Sequence, residues 1–352
     1  YVEMLEVGYT WVCEFHYLHH SADGTPYVDP ARMSDVLIAA ARDTGIGLTL
    51  LPVLYMTGGF DGRPLTPRQR RFGHGVDDYL RLVEGVQEGG KDSLANGGAF
   101  HSLRAVPPEA MRAILESGLC DDAPIHIHIA EQIGEVQDCL AVRNARPIEW
   151  LLDNAPVDAR WCLVHATHMT PAEAHAVAER AATIAICPTT EANLGDGLFP
   201  LRTYLDADGV WGIGSDSHIS VSPVEELRWL EYGQRLVSRH RNIAADDNTP
   251  SVGETLLAGA LHGGRACGVS CGLIEARSGE YAGAVADVIA LDDRAPQLAG
   301  HDDTTVIDAW LFSGNRNLVR DVWAGGVQVV ADGQHRDRDD VSYRYRATLT
   351  AL

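Results

Sequence analysis

The sequence predicts an α/β protein, a parallel barrel built from strand-and-helix units and followed by a small β module. Three observations carry this. Seven apolar strand-like runs, at 7–15, 46–55, 99–106, 125–129, 161–166, 182–187 and 209–214, alternate with stretches of helical spacing, which is the signature of βαβ units. Polar residues with chemical potential gather at the ends of several of those runs. From about residue 277 the texture changes to short strands around a Gly325-Gly326 turn, which places a boundary between 1–276 and 277–352.

Taken in order, the chain enters the run 7–15 almost at once, and that run leads to a histidine-rich loop over 16–24. Asp29 and Pro30 predict a helix start, with Met33, Val36, Leu37 and Ala40 as its apolar face and Gly45 as its stop. The run 46–55 passes into a Gly-, Pro- and Arg-rich loop at 57–75, and long loops at strand ends are often functional. Helical spacing returns over 76–87, 91–98 reads as a turn region, and 99–106 as a short strand entering a polar loop. Pro107, Pro108 and Glu109 start the next helix, and two more are expected at 133–142 and 148–154, on either side of Pro147. Thr170 with Glu173, and Ser222 with Glu225, have the spacing of capping boxes, in which hydroxyl and carboxylate each satisfy a free backbone N–H. The run 182–187 is read as a strand ending in Pro-Thr-Thr-Glu-Ala-Asn193. Beyond the boundary, 286–291 is a strand, 319–330 a hairpin, and the charged run 337–340 solvated surface.

A chain of 352 residues has room for one large α/β domain and a smaller companion. Its 28 Lys and Arg against 49 Asp and Glu leave a formal charge of -21, which argues against nucleic acid or an anionic membrane surface as the partner. No run reaches the roughly 18 apolar residues of a membrane span, and residues 1–15 lack a signal-peptide layout. The seven cysteines form no Cys-x-x-Cys pair and several sit within apolar runs, which fits a reducing cytoplasm.

The stretch 124–132, Pro-Ile-His-Ile-His-Ile-Ala-Glu-Gln, is the centre of the pattern. Strand side chains alternate, so His126 and His128 share one face, Ile125, Ile127 and Ile129 the other, and Glu131 follows where the strand gives way to a loop. A lone His-x-His is more often a pair of satisfied core histidines than a site. Here two later runs end in the same way, one at His165 and His168, the other at Asp216 and His218. The strand ends of a parallel barrel face one opening, so these groups converge.

On these residues the chain resembles the amidohydrolase superfamily, and within it the formimidoylglutamate deiminase family. The resemblance rests on Glu14-Phe-His-Tyr-Leu-His-His20, His101-Ser-Leu-Arg-Ala105, His126-Ile-His-Ile-Ala-Glu-Gln132, Leu163-Val-His-Ala-Thr-His168, Gly214-Ser-Asp-Ser-His218 and Arg320-Asp-Val-Trp323, in order along nearly the whole chain. It implies a TIM-like (β/α)8 metal-dependent hydrolase barrel with a small β-sandwich module. It also implies hydrolysis of the small molecule N-formimino-L-glutamate to N-formyl-L-glutamate and ammonia, a step of histidine degradation. By position, His128 and Asp216 would hold the metal, Asp216 would also act as base, Glu131 would shuttle the proton, and His165 would stabilise the reacting centre. Tyr17, His101 and Arg104 would hold the substrate. One zinc ion per chain is expected, with iron or manganese as alternatives of overlapping ligand preference, and the protein is expected to be a homodimer. His126 is expected just behind the site, and His16, His19, His20, His168 and His218 are read as packing or capping residues.

The superfamily's barrel begins with a strand bearing a His-x-His metal pair, and none precedes residue 7. The expectation is that a segment upstream of Tyr1 supplies it; the alternative is a fragment with half a metal site. Two rival functions stand beside the main one. An aminohydrolase of a purine, pterin or triazine ring would use the same metal end, but the stretch from His101 to Arg104 argues for a carboxylate-bearing substrate. A binding or scaffold protein without the metal pair would have no turnover at all.

Overall fold

The computed structural model of the chain describes residues 1–89, 95–118, 121–269 and 285–351. After a short helix at Val2–Glu6 come β1 (Trp11–His16), β2 (Gly47–Leu54), β3 (Ala95–Asn96), β4 (Gly98–Ser102), β5 (Ile125–Ile129), β6 (Trp161–His165), β7 (Thr183–Ile186) and β8 (Val210–Ile213). Seven of them form a parallel sheet in the order β1-β2-β4-β5-β6-β7-β8, with the two-residue β3 beside β2. β1 and β8 do not pair with each other among the described residues. Helices return the chain between strands, including Arg32–Thr44, Val76–Gly89, Pro108–Glu116, Ile133–Arg143, Pro171–Glu179 and Pro223–Ser238. This is the βα alternation that the sequence predicts.

The sheet separates two apolar regions. Ile125, Ile127 and Ile129 join the main core against the helices, whereas Phe15, Leu51, Val53, Ala99, Cys162 and Val164 form small clusters on the opposite, inner face. Local chemistry maintains this arrangement at two awkward points. Pro52 sits inside β2 and has no N–H to give the ladder; the Tyr79 hydroxyl donates to its carbonyl over 3.0 Å and accepts from Ala99 N–H at 3.3 Å, bridging β2 to β4. Gly47 is required because a Cβ there would lie 2.1 Å from the Trp11 ring.

The capping box at Thr170 is complete. At Ser222 only the hydroxyl half forms, because the Glu225 carboxylate turns to Ser220 instead. Asp29 does not cap the first long helix: its carboxylate takes the Ala31 N–H over 3.0 Å and the helix begins at Arg32. The face it buries is Ser34, Ile38 and Ala41 rather than the one expected, and Val36 points to solvent. The strand expected at 182–187 forms over Thr183–Ile186, and the Pro-Thr-Thr-Glu-Ala-Asn193 stretch that ends it is a helix, Pro188–Leu194. Helices at Leu201–Asp206, Val252–His262, Val306–Phe312 and Arg338–Ala351 are additions to the sequence reading, and the last takes up most of the charged run 337–340.

The smaller sheet is antiparallel: β9 (Val288–Leu291), β10 (Val319–Ala324), β11 (Val327–Ala331) and β12 (Gln334–His335), in the order β12-β11-β10-β9. Gly325 and Gly326 both take positive φ, 57° and 78°, which a two-residue hairpin turn of matching twist demands. The first helix packs on this sheet, with Glu6 accepting from Asn317 Nδ2 through its carbonyl and from the His335 N–H through its carboxylate. The expected boundary near 276/277, and 91–94 of the expected turn region, lie outside the described residues. No helix among the described residues is long and apolar enough to cross a membrane.

Candidate active site

The groups singled out at the strand ends meet. β5, β6 and the turn after β8 bring one donor atom each of His128, His165 and Asp216 to within 4.8 Å of one another. The backbone is strained where it delivers them: Ala130, His165, Ala166 and Asp216 take φ of 49°, 71°, 50° and 40°, a region that side chains other than glycine rarely adopt. Such strain persists only where surrounding structure enforces it, and it concentrates at functional sites.

The two imidazoles are held from behind. His128 Nδ1 donates to the His101 carbonyl over 2.8 Å, which fixes its tautomer and leaves Nε2 as a bare lone pair facing the Tyr17 hydroxyl at 3.4 Å. His165 Nδ1 lies 3.3 Å from the Glu191 carboxylate, and the His165 and His128 rings stack at 5.5 Å between centroids. On the other side, His165 Nε2 lies 3.7 Å from the Glu131 carboxylate. Burial, with the charge of His165, pulls His128 down to about 4, so its ring is neutral and available as a ligand at physiological pH. Burial disfavours the His165 cation too, but its bond to Glu191 and the charges of Glu131 and Asp216 outweigh burial and raise its pKa. Glu131 is also pushed upward, by burial first and then by Asp196 and Asp216, against an opposing pull from His165.

Tyr17 and His101 pack against this centre. The Tyr17 ring lies 5.8 Å from His101 and 6.3 Å from His128, and Phe15 lies 4.3 Å from His128. Tyr55 packs edge-on against His101 at 4.4 Å. Arg104, half-buried in the turn after β4, makes no hydrogen bond through its guanidinium and no ion pair among the described residues, including with Glu109. Its charge is nonetheless felt at the site, since His101 is held well below its usual range by burial, His128 and Arg104.

The other histidines singled out in the sequence lie outside the converging group. His126 is buried behind the site and bonds Ala266 O through Nε2 at 2.8 Å. His16, His19, His20 and His74 pack ring against ring beside the Tyr17 loop, with His19 and His20 bonded to the carbonyls of Val53 and Gly73. His168 and His218 supply no atom to the converging group. An open cleft of about 540 Å³ beside the same loop, lined by His20, Tyr27, Arg70 and His74 among others, holds none of the converging groups. The strand ends, where donors and perturbed acids meet, are therefore the candidate site.

Two features extend the sequence reading. His165 belongs to the group that could hold a metal, and Glu191, to which no role was given, is its buried partner. The signal for Glu191 was Pro188 three residues before it, a helix-start pattern that would have put an acid in the first turn of a helix at a strand end. Two imidazole nitrogens and a carboxylate oxygen on rigid strand ends, each imidazole anchored from behind, are a donor set that fits a divalent metal.

Comparison with known proteins gives the same picture. The profile of the amidohydrolase family matches residues 1–329. The chain is 50% identical over 339 residues to a formimidoylglutamate deiminase of Pseudomonas aeruginosa, a match covering 95% of this chain and 73% of the relative. An amidohydrolase structure from Brucella melitensis superposes with a TM-score of 0.90 at 44% identity, over 99% of this chain and 76% of that one. An adenosine deaminase structure from Xanthomonas campestris with bound zinc superposes with a TM-score of 0.77 at 22% identity, over 100% of this chain and 74% of that one, a likeness of fold.

Proposed function

The chain belongs to the amidohydrolase family, and from that premise we propose that it hydrolyses N-formimino-L-glutamate to N-formyl-L-glutamate and ammonia, in histidine degradation. The identity to a deiminase of that name along nearly the whole chain supports the reaction. The observation that carries the substrate class is Arg104, a guanidinium without an ion pair among the described residues, in the turn after β4 and close enough to His101 for its charge to be felt there. In a protein of net charge -21, a cation in that position suits a substrate with two carboxylates.

In this reading His128 and Asp216 would hold one divalent metal, with His165 aimed at the same point. The nitrogen and oxygen donors suit zinc. A metal of this kind supplies a water acidified toward neutrality and an electrophile for the carbon under attack. The chain's own groups do the rest. Asp216 accepts the proton that the water loses as its oxygen bonds to the formimino carbon. Glu131, kept protonated to higher pH than an exposed carboxyl, delivers a proton to the imino nitrogen in the same step; Asp216 then passes its proton to that nitrogen, the C–N bond breaks so that the nitrogen leaves as ammonia, and Glu131 takes up the hydroxyl proton as the formyl C=O forms. His165 steadies the charge that develops on the oxygen, Arg104 clamps a carboxylate as a planar fork, and Tyr17 and His101 bond the remaining substrate oxygens. The same reading makes the enzyme a cytoplasmic homodimer, and the free thiols of Cys139, Cys162 and Cys187 suit a reducing compartment.

The test is turnover. Purified enzyme given N-formimino-L-glutamate should release ammonia and N-formyl-L-glutamate in equal amounts, and release none from adenosine or a pterin. Ammonia from a ring substrate alone would move the ring-aminohydrolase reading ahead.

A further inference from the structure

We infer that the short segment Thr189-Thr190-Glu191 is the positioning element of the site, one side chain anchoring it and the other two orienting His165 and the Asp216 turn; the inference rests on the proposed hydrolytic reading of that site. The three residues begin the helix Pro188–Leu194 at the end of β7, between the strands that carry His165 and Asp216. All three are buried. Each faces a different partner.

Thr189 anchors the segment. Its N–H and its hydroxyl both go to the carboxylate of Glu226, over 2.9 and 2.6 Å, and Glu226 is fully buried on the helix Pro223–Ser238. Thr190 reaches the neighbouring strand end: its Oγ1 lies 2.9 Å from Ser217 Oγ and accepts the Ser217 N–H at 3.3 Å. Ser217 follows Asp216 directly, and Asp216 is held at positive φ, so this pair of bonds pins the strained turn that aims the carboxylate. Glu191 reaches the other way. Its Oε1 accepts the Cys187 N–H over 3.0 Å, which locks the carboxylate, and sits 3.3 Å from His165 Nδ1. A carboxylate there keeps the proton on Nδ1 and directs Nε2 to the point where His128 and Asp216 converge. Two of the three converging donors thus take their orientation from adjacent residues of one helical turn.

Partners of this kind typically change metal affinity or activity by about 10 to 100-fold when removed. The experiment pairs a disruptive with a conservative change at each arm. Glu191→Ala should lower kcat by about 10 to 100-fold with a smaller change in KM, and Glu191→Gln, whose amide oxygen can still accept from both Nδ1 and Cys187 N–H, should recover most of it. Nitrogen-15 spectra of the metal-free protein, labelled at histidine, should show the His165 proton on Nδ1 in the parent and in Glu191→Gln, and not in Glu191→Ala. Thr190→Val should weaken zinc retention against a chelator by about 10-fold or more, with Thr190→Ser near the parent. The spectra and the zinc competition involve no substrate, so they stand or fall apart from the identity of the substrate. A His165 Nδ1 proton that persists in Glu191→Ala, or zinc retention unchanged in folded Thr190→Val, would overturn the inference.

Discussion

His128 Nδ1 donates its proton to the main-chain oxygen of His101, 2.8 Å away. The backbone of His101 therefore orients the ring proposed to hold the metal, and β4 cannot shift along β5 without disturbing it. Changes aimed at the His101 side chain alone leave this bond in place, which is why the predictions below probe other groups.

Glu131→Gln should preserve the fold and metal retention and lose about 10² to 10⁴-fold in turnover, the usual contribution of a general acid or base. The amide matches the carboxyl in shape but carries no transferable proton. Steady-state ammonia release with metal analysis of the same preparation checks both halves. Near-normal turnover would shift the proton-transfer role, with His165 the first group to examine.

Gly259→Ala should lower Tm. A Cβ at Gly259 would lie 2.0 Å from the Trp211 ring, so the helix Val252–His262 would have to back away from β8. In an exposed helix the same change stabilises by about 0.8–1 kcal/mol, whereas overpacking a core costs about 1–3 kcal/mol. The sign of the thermal shift therefore decides whether this helix packs on Trp211 as described.

His74 sets an acid limit on stability. Both of its ring nitrogens are buried without a hydrogen-bond partner among the described residues, and burial, with the charge of His20, lowers its pKa to about 4. Its folded pKa lies below the unfolded value of 6.5, so the unfolded chain binds the extra proton between 6.5 and about 4. Stability is then fully present above that window and is lost as pH falls through it. His16 follows the same sign. His74→Phe should narrow the gap between Tm at about pH 8 and Tm at about pH 5, measured by calorimetry.

Much of this architecture is legible in the residues themselves. The Ile-His-Ile-His-Ile alternation fixes which face of β5 carries His126 and His128, and the apolar runs ending in His165 and Asp216 locate the other donors, because period-two patterning and strand ends are local properties. The positioning segment is not legible in the same way. Thr189 and Thr190 are β-branched and follow an apolar run, so they read as the end of a strand despite the helix start at Pro188, and their partners Glu226 and Ser217 lie far along the chain. The first long helix shows a similar limit: Val36 and Leu37 look like its buried face, yet Ile38 and Ala41 are the residues that meet the sheet, since the helix axis is set by what surrounds it. Arg104 could be named from its neighbours, but its lack of an ion pair among the described residues is a property of the fold.

The most direct test of the account is the carboxylate clamp. Removing one partner of a desolvated charge pair costs roughly 2–5 kcal/mol, whereas an exposed pair is worth about 0–1 kcal/mol. Arg104→Gln should therefore lower kcat/KM for N-formimino-L-glutamate by about 30-fold or more, and should change it far less for N-formiminoglycine, which lacks the side-chain carboxylate. A kcat/KM for N-formimino-L-glutamate within about threefold of the parent, where a surface pair would leave it, would contradict the clamp and the substrate assignment with it.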